Sequence, residues 1–419
     1  MQGGAPLRAA LSEELRRQPS LGGQERRFAA LATRELSRHQ RLLDLVARQL
    51  GHPPGQWALA EDRILVRYVL WRRLFTAADW SAIAPEVRLP GPLRPRSVLD
   101  PVLEGIASAP LPEIEASSSE VEAAAIRHSF PGWLAEAIAA QLPSGEVDLA
   151  LAALNREPGV FLRAREPPGR NALLAELGSA GIGCEPVAWA RAAIRILDPG
   201  MRVFDTPPLR SHRAQVQEPG SQLIAALCAP ALRVADVCAG AGGKTLALAD
   251  QVTARGQVFA GDRSRHRLEE ARRRVREYGL SNVTFPQSLP LDTCDAVLID
   301  APCSGTGSLG REPDMKWKLT PQRVAELVAT QRELLDEAAA RVRPGAAIVY
   351  ATCSLLREEN WAQVEAFLAR HPDFALQPAG EVLGEASAAV VSAAGFLEVW
   401  PHRTGTAGFF AARLVRRQG

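Results

Sequence analysis

Cys303 and Cys353 each close an apolar, strand-like run, in LIDAPCSGTG (298–307) and IVYATCSLL (348–356). A thiol so placed can ligate a metal, join a disulfide, or attack as a thiolate. Asp300 ends the first run and adds a carboxylate close to Cys303. Zinc is not suggested, because no Cys-x-x-Cys pair exists and no His lies near either cysteine in sequence. A disulfide is unusual in a reducing compartment. The start, MQGGAPLRAALSEELRRQPS, carries no continuous apolar segment, so no secretory signal is expected and the chain is read as cytoplasmic. Buried, inert thiols are the commoner fate of lone cysteines, and we place Cys184, Cys228 and Cys294 there. Cys238 is either core or part of the glycine-rich turn that follows it. For Cys303 and Cys353 the surroundings favour catalysis.

Both runs must be positioned by a sheet. From about Val216 the sequence alternates strand-like and helix-like segments. Strands are expected at 232–237, 257–262, 295–300 and 346–352, with a short one at NVTF. Helices are expected at 244–252, 267–279, 321–342 and 358–371. GFLEVW and GFFAARLV read as a late antiparallel pair at one edge. Such alternation predicts an open, mostly parallel α/β sheet that binds ligands at the carboxyl ends of its strands. In a doubly wound sheet the strand ending at Asp300 lies between the first strand and the one ending at Thr352. Both cysteines then emerge on the ligand-binding rim.

The turn ADVCAGAGGKT places Gly240, Gly242 and Gly243 between the first strand and a helix, where backbone N–H groups approach a ligand closely. Asp262 ends the next strand, 22 residues beyond Gly240, where an acidic residue binds ribose hydroxyls. The turn fits neither a Walker A loop nor G-x-G-x-x-G. S-adenosylmethionine is therefore a better candidate than ATP or NAD.

Upstream, residues 1–142 read as all-helical. One helix is expected over 25–50, one over 58–75, a proline-dotted, turn-rich stretch from Pro85 to Pro112, and two short helices around Pro131. Residues 146–215 read as a small α+β unit, with strands at 158–166 and 193–200 around a helix at 170–182. Residues 216–419 complete the division into three domains. No apolar run reaches the ~20 residues of a membrane span, and 47% hydrophobic with 23% charged residues describes a globular chain without membrane association. Of 49 Lys and Arg residues only Lys244, Lys316 and Lys318 are lysines, all within motif-like stretches. The Arg-rich helical faces are either solvated surface or RNA-contacting.

DVCAGAGGKT, DAPCSGTG, EPDMKWK, YATCSLLREEN and PHRTGTAGFFAARL resemble, in order and spacing, the Sun-type RNA cytosine-5 methyltransferases. ALNREPGVFLRA and VQEPGSQL resemble that family's small RNA-binding domain and its junction. The helical first part is similar to the NusB-like domain of the bacterial 16S rRNA methyltransferase B branch. The resemblance implies a Rossmann-like methyltransferase domain preceded by these two RNA-binding domains. It also implies S-adenosylmethionine as cofactor, RNA as partner (16S rRNA above tRNA or another RNA), and a monomer. It assigns Cys353 as the nucleophile that adds to carbon 6 of cytosine, and Cys303 to release of the product. Asp300 is expected to hold the N3 edge of the base and to reach the cofactor. Residues Cys238, Ala239, Gly240, Ala241, Gly242, Gly243, Lys244 and Asp262 are expected around the cofactor, Lys316 at the target nucleotide, and Trp317 either stacked on a base or in the core.

The sequence departs from the family's pattern in four places. Ala241 replaces a Pro, Gln287 and Ser288 stand where an acidic residue meets the adenine side, Ala407 replaces an Asp, and Glu218 replaces another. Weaker cofactor binding is expected from the Gln287 segment. An RNA-binding assembly factor with a decayed cofactor site is the competing reading, against which the retained cysteine pair argues.

Overall fold

The computed structural model describes residues 7–57, 59–87, 96–112, 119–165, 169–197, 203–252 and 256–418. It divides into two compact units, residues 1–155 with 311–318, and residues 156–310 with 319–419.

The first unit is helical. Its described α-helices are Leu7–Arg17, Gly23–Arg38, Gln40–Gln49, Ala60–Thr76, Trp80–Val87, Arg96–Ser108, Glu120–Arg127, Gly132–Ala139, Val147–Leu154 and the single turn Met315–Lys318. The expected helix at 25–50 is two helices, because His39 leaves helical geometry at φ −106, ψ 16. Much of the stretch from Pro85 to Pro112, read as turns, is helical despite Pro85 and Pro101 inside the helices. Burial of Ile83, Leu103 and Ile106 with Leu43, Val69 and Leu70 outweighs the proline penalty there. Residues 88–95 of that stretch lie outside the described residues. The helix Val147–Leu154 buries Val147, Ala150, Leu151 and Leu154. Two arginines of this unit are held in ion pairs: Arg67 grips Asp44 through two bonds of 2.7 and 2.8 Å, and Arg72 grips Glu86 through two of 3.0 and 2.9 Å.

The second unit carries two sheets. In the smaller, β1 (Val160–Ala164), β2 (Cys184–Pro186), β3 (Ala193–Ile196) and β4 (Ala214–Val216) run antiparallel in the order β2-β3-β1-β4. The helix Arg170–Ser179 closes this sheet through Leu173 and Leu177, which pack with Leu162, Ile194 and Ile196. Glu166 and residues 198–200, expected as strand, lie outside the described residues.

The larger sheet contains β5 (Arg233–Asp236), β6 (Gln257–Ala260), β7 (Val283–Thr284), β8 (Ala296–Asp300), β9 (Ala347–Thr352), β10 (Phe374–Gln377), β11 (Leu397–Val399) and β12 (Phe409–Arg416). Its order is β10-β12-β9-β8-β5-β6-β7, with β11 paired to β12. Strands β5 to β9 are mutually parallel, as the alternation predicts. The order reverses between β5 and β8, which makes that junction the switch point. The antiparallel pair β11–β12 exists, but it is not an edge hairpin. β12 runs antiparallel to β9 on one side and carries β10 and β11 on the other. Alternation could not show this, because β12 is buried on both faces and reads as a plain apolar run.

Candidate active site

The register of β8 on β9 brings the two cysteines together. Asp300 pairs with Ala351 in parallel strands, so Cys303 and Cys353 leave the same end of the sheet a few residues later. Their sulfur atoms lie 3.4 Å apart, and both thiols are free. Across the switch point, Lys244 at the start of helix Gly243–Gln251 donates to Asp300 Oδ2 at 2.6 Å. The two expected cofactor residues are thus an ion pair beside the thiols.

The charges set the proton's place. Cys353 is held below the ordinary thiol range, first by the hydrogen bond from Cys303, with the Lys244 ammonium assisting against burial and Asp300. Cys303 is pushed well above that range, first by its bond to Cys353 and then by burial. The bond is therefore polarised, with Cys303 the favoured donor and Cys353 the sulfur that ionises first. Lys244 itself is raised by Asp300 in spite of its burial. The inert assignments for Cys228 and Cys294 fit their settings, where burial pushes the thiols up to about 12 and about 11. Cys238 rises to about 12 by burial beside Asp236, Asp300 and Asp262, and it lines the cavity.

That cavity, about 1270 Å³, is lined by Cys238, Ala239, Gly240, Ala241, Gly243, Lys244, Asp262, Asp300, Cys303 and Cys353. Gly240 and Gly242 take φ values of +53 and +84. A Cβ at Gly240 or Gly243 would meet no atom within 4 Å, so the backbone there is open to a ligand, whereas one at Gly242 would press on Ala271 at 3.1 Å. Asp262 accepts from the Gly240 N–H at 2.8 Å and the Ser264 N–H at 2.7 Å, so it shapes the turn as well as facing the cavity. Gln287 and Ser288 line the far part beside Phe285. These residues fit S-adenosylmethionine: an exposed glycine backbone, carboxylates for hydroxyl and ammonium groups, and an aromatic neighbour for a purine. Asp236 is a further acidic group, missed by the sequence reading. It is fully buried under the turn, bonded to Thr245 at 2.7 Å, and burial raises it to about 7. Its place at the end of β5, just before the glycines, was the available signal.

Distant motifs close around the pair. Gly307 N–H donates to Cys353 O at 2.9 Å, and Gly408 N–H donates to Gly307 O at 2.8 Å. A Cβ at Gly307 would stand 2.4 Å from Gly408 O, and one at Gly408 would stand 2.8 Å from Leu355 Cδ2. The two departures at 218 and 407 meet each other, since the Ala407 N–H donates to Glu218 Oε2 at 3.2 Å.

Lys316 and Trp317 belong to the first unit. The Lys316 ammonium is fully buried and donates to Arg38 O at 2.8 Å, to Asn155 Oδ1 at 2.9 Å and to His128 O at 3.4 Å. It also lies over the Phe130 ring at 4.2 Å. Arg38 and His128 end the helices Gly23–Arg38 and Glu120–Arg127, so one amine serves two carbonyl-rich helix ends, although burial and the nearby Arg38 push it well below the ordinary lysine range. The Trp317 indole donates to Ser37 O at 2.6 Å. Lys316 lacks the exposure expected of a substrate-binding group, whereas Trp317 is half-buried. Lys316→Met is expected to lower the stability of the helical unit by about 2–3 kcal/mol, since buried acceptors lose their donor. Thermal unfolding checks this, and an unchanged midpoint would refute the helix-end role.

Lys244→Met provides a test of the thiol electrostatics. Removing the cation raises the Cys353 pKa, so the acid limb of any Cys353-dependent reaction must move to higher pH. Alkylation rate against pH, resolved by peptide, measures the shift, and an unmoved limb counts against Lys244 as the activating charge.

A family model described as 16S rRNA methyltransferase RsmB/F matches residues 229–415. A probable ribosomal RNA small subunit methyltransferase B of Synechocystis is 28% identical, covering 97% of this chain and 94% of its own length. The ribosomal RNA small subunit methyltransferase B of Sodalis glossinidius is 33% identical, covering 71% of this chain and 68% of its own. The crystal structure of PH0851 matches the fold with TM-score 0.75 at 24% identity, covering 97% of this chain and 93% of that one.

Proposed function

The chain belongs to the 16S rRNA methyltransferase RsmB/F family, and from that premise we propose that it methylates carbon 5 of a cytosine in RNA, with 16S rRNA as substrate. The observation that carries the reading is the thiol pair, 3.4 Å apart, with one sulfur favoured as thiolate and the other as thiol.

Carbon 5 of cytosine is a weak nucleophile, and a sulfur bonded to carbon 6 makes it enamine-like. S-adenosylmethionine, when bound, supplies an electrophilic methyl group. The Cys353 thiolate adds to carbon 6. A proton held between N3 and Asp300, which Lys244 orients, passes to N3 as charge develops there. After methylation the C5 proton leaves and the carbon 6–sulfur bond breaks, which restores the aromatic base and the Cys353 thiolate. Cys303 serves this release. While Cys353 is a thiolate, its charge and hydrogen bond hold the proton on Cys303. Once Cys353 is bonded to carbon, both influences vanish, and Cys303 becomes easier to ionise when a base is required. The target cytosine must be unpaired or flipped out to reach the pair.

Bisulfite sequencing of rRNA and tRNA from cells with and without this protein tests the reading. Loss of one cytosine signal in 16S rRNA supports it, and loss in tRNA instead would redirect the substrate. No change in any RNA, together with no calorimetric binding of S-adenosylmethionine at millimolar concentration, would favour an assembly factor with a weakened cofactor site. The exchange of an acidic residue for Gln287 is the observation on that side.

A further inference from the structure

Beneath the thiols lies a buried acidic residue to which the mechanism above assigns no task. Glu359 is fully buried, in the short turn Arg357–Glu359 after the Cys353 strand. Among the described residues it forms no ion pair. Its Oε1 accepts from the Ser304 N–H at 2.8 Å and from Gln331 Nε2 at 2.9 Å. Its Oε2 accepts from the hydroxyls of Ser304 and Ser354, both at 2.5 Å. Ser304 and Ser354 are the residues immediately after Cys303 and Cys353. Gln331 also donates to Pro302 O at 2.9 Å, on the other side of Cys303. The backbone carbonyl of Glu359 takes the Tyr350 hydroxyl at 2.5 Å, which fixes the turn to β9. Thr306 completes the cluster, accepting from the Leu355 N–H at 2.8 Å and lying 3.2 Å from the Ser354 hydroxyl.

Four donors converge on two oxygens, the acceptor pattern of a carboxylate. Two of the four come from the backbone and hydroxyl of the residue after Cys303, and one from the residue after Cys353. A group meant only for packing would not need a buried acid, since isolated buried charge is costly and apolar replacements are often as stable. This acid ties both thiol-bearing loops to one point and places a charge on the Cys303 side.

We propose that Glu359 is a positioning residue that holds the Cys303 and Cys353 loops in register and keeps the shared proton of the thiol pair on Cys303, making Cys353 the sulfur that attacks. The inference rests on the cysteine assignments made above. The charge of Glu359 acts in the stated sense, adding to the influences that raise Cys303. Its loss makes the two sulfurs more alike, and the nucleophile less well defined.

Glu359→Gln separates charge from shape. The amide oxygen can face Ser304 N–H and Gln331, while the amide nitrogen donates to the two hydroxyls, which rotate to accept. The experiment is peptide-resolved alkylation of the full chain with iodoacetamide between pH 5 and 9, without RNA. The wild-type protein is expected to react at Cys353 at least about tenfold faster than at Cys303 near neutral pH, and Glu359→Gln to bring the two within about threefold. Binding of S-adenosylmethionine is expected to stay unchanged. Equal reactivity in the wild-type protein, or full selectivity retained in Glu359→Gln, overturns the proposal. If Glu359→Gln does not fold, Ser304→Ala with Ser354→Ala decides. Methyl transfer is then expected to lose at least about tenfold in kcat with the KM for S-adenosylmethionine unchanged, and an unchanged kcat overturns the proposal. Failure of RNA methylation in the wild-type chain would instead strike the proposed function, because the alkylation readout does not depend on it.

Discussion

Cys353→Ser is expected to abolish methyl transfer from labelled S-adenosylmethionine to RNA, by roughly 10³-fold or more. A serine hydroxyl keeps the shape but ionises far above neutral pH, so it offers no anion to carbon 6. The change also removes the acceptor of the Cys303 bond, the largest influence raising that thiol. Cys303 becomes more reactive in this variant, at a sulfur 3.4 Å from the right place. Misplacement on that scale is enough to prevent productive attack. The variant is expected to bind S-adenosylmethionine as before, since the glycine turn and Asp262 are untouched. Retained methylation would remove Cys353 from the nucleophile's role, and methylation lost together with cofactor binding would point to a folding defect instead.

Cys303→Ser is expected to produce the opposite phenotype, a trapped intermediate. Addition and methylation proceed, release stalls, and a protein–RNA species survives denaturing electrophoresis. The hydroxyl still donates to Cys353, so the thiolate is preserved. What is lost is a group that becomes ionisable once Cys353 is bonded to carbon. The adduct is expected to reach a large fraction of the enzyme with a cytosine-containing substrate RNA, and to disappear in the double variant with Cys353→Ser. Absence of any adduct, with turnover near the wild-type level, would deny Cys303 its part in release.

The route from sequence to site was direct where chemistry and punctuation coincide. Strands ending in Asp300 and Thr352 could be placed side by side from alternation alone, because parallel order follows from strand–helix alternation and the switch point. The glycine turn was legible for the same reason. Lys244 was placed at the cofactor turn, but its pairing with Asp300 was not foreseen, since it depends on the direction its side chain takes at the start of helix Gly243–Gln251. Glu359 and the Ser304 and Ser354 hydroxyls were missed because a buried acid in REEN looks like a solvated turn residue. Lys316 was drawn to the substrate by its motif and its rarity, yet its ammonium closes two helix ends. The helices around Pro85 and Pro101 show the limit of local rules, since burial of Ile83 and Leu103 decides the backbone there.

The knot of glycines at 307 and 408 has a kinetic consequence. Gly307 is held on one side by the Cys353 carbonyl and on the other by Gly408, which sits at the head of β12. β12 is an interior strand that pairs with β9 about sixty residues earlier, and the Gly408 bond to Gly307 reaches about a hundred residues back. Loop-closure entropy makes such long-range pairing slow, and helices form well before it. The spacing of the two sulfurs is therefore expected to be set after the helices have formed. On refolding from denaturant, helical signal returns first, and selective reactivity of Cys353 lags behind it.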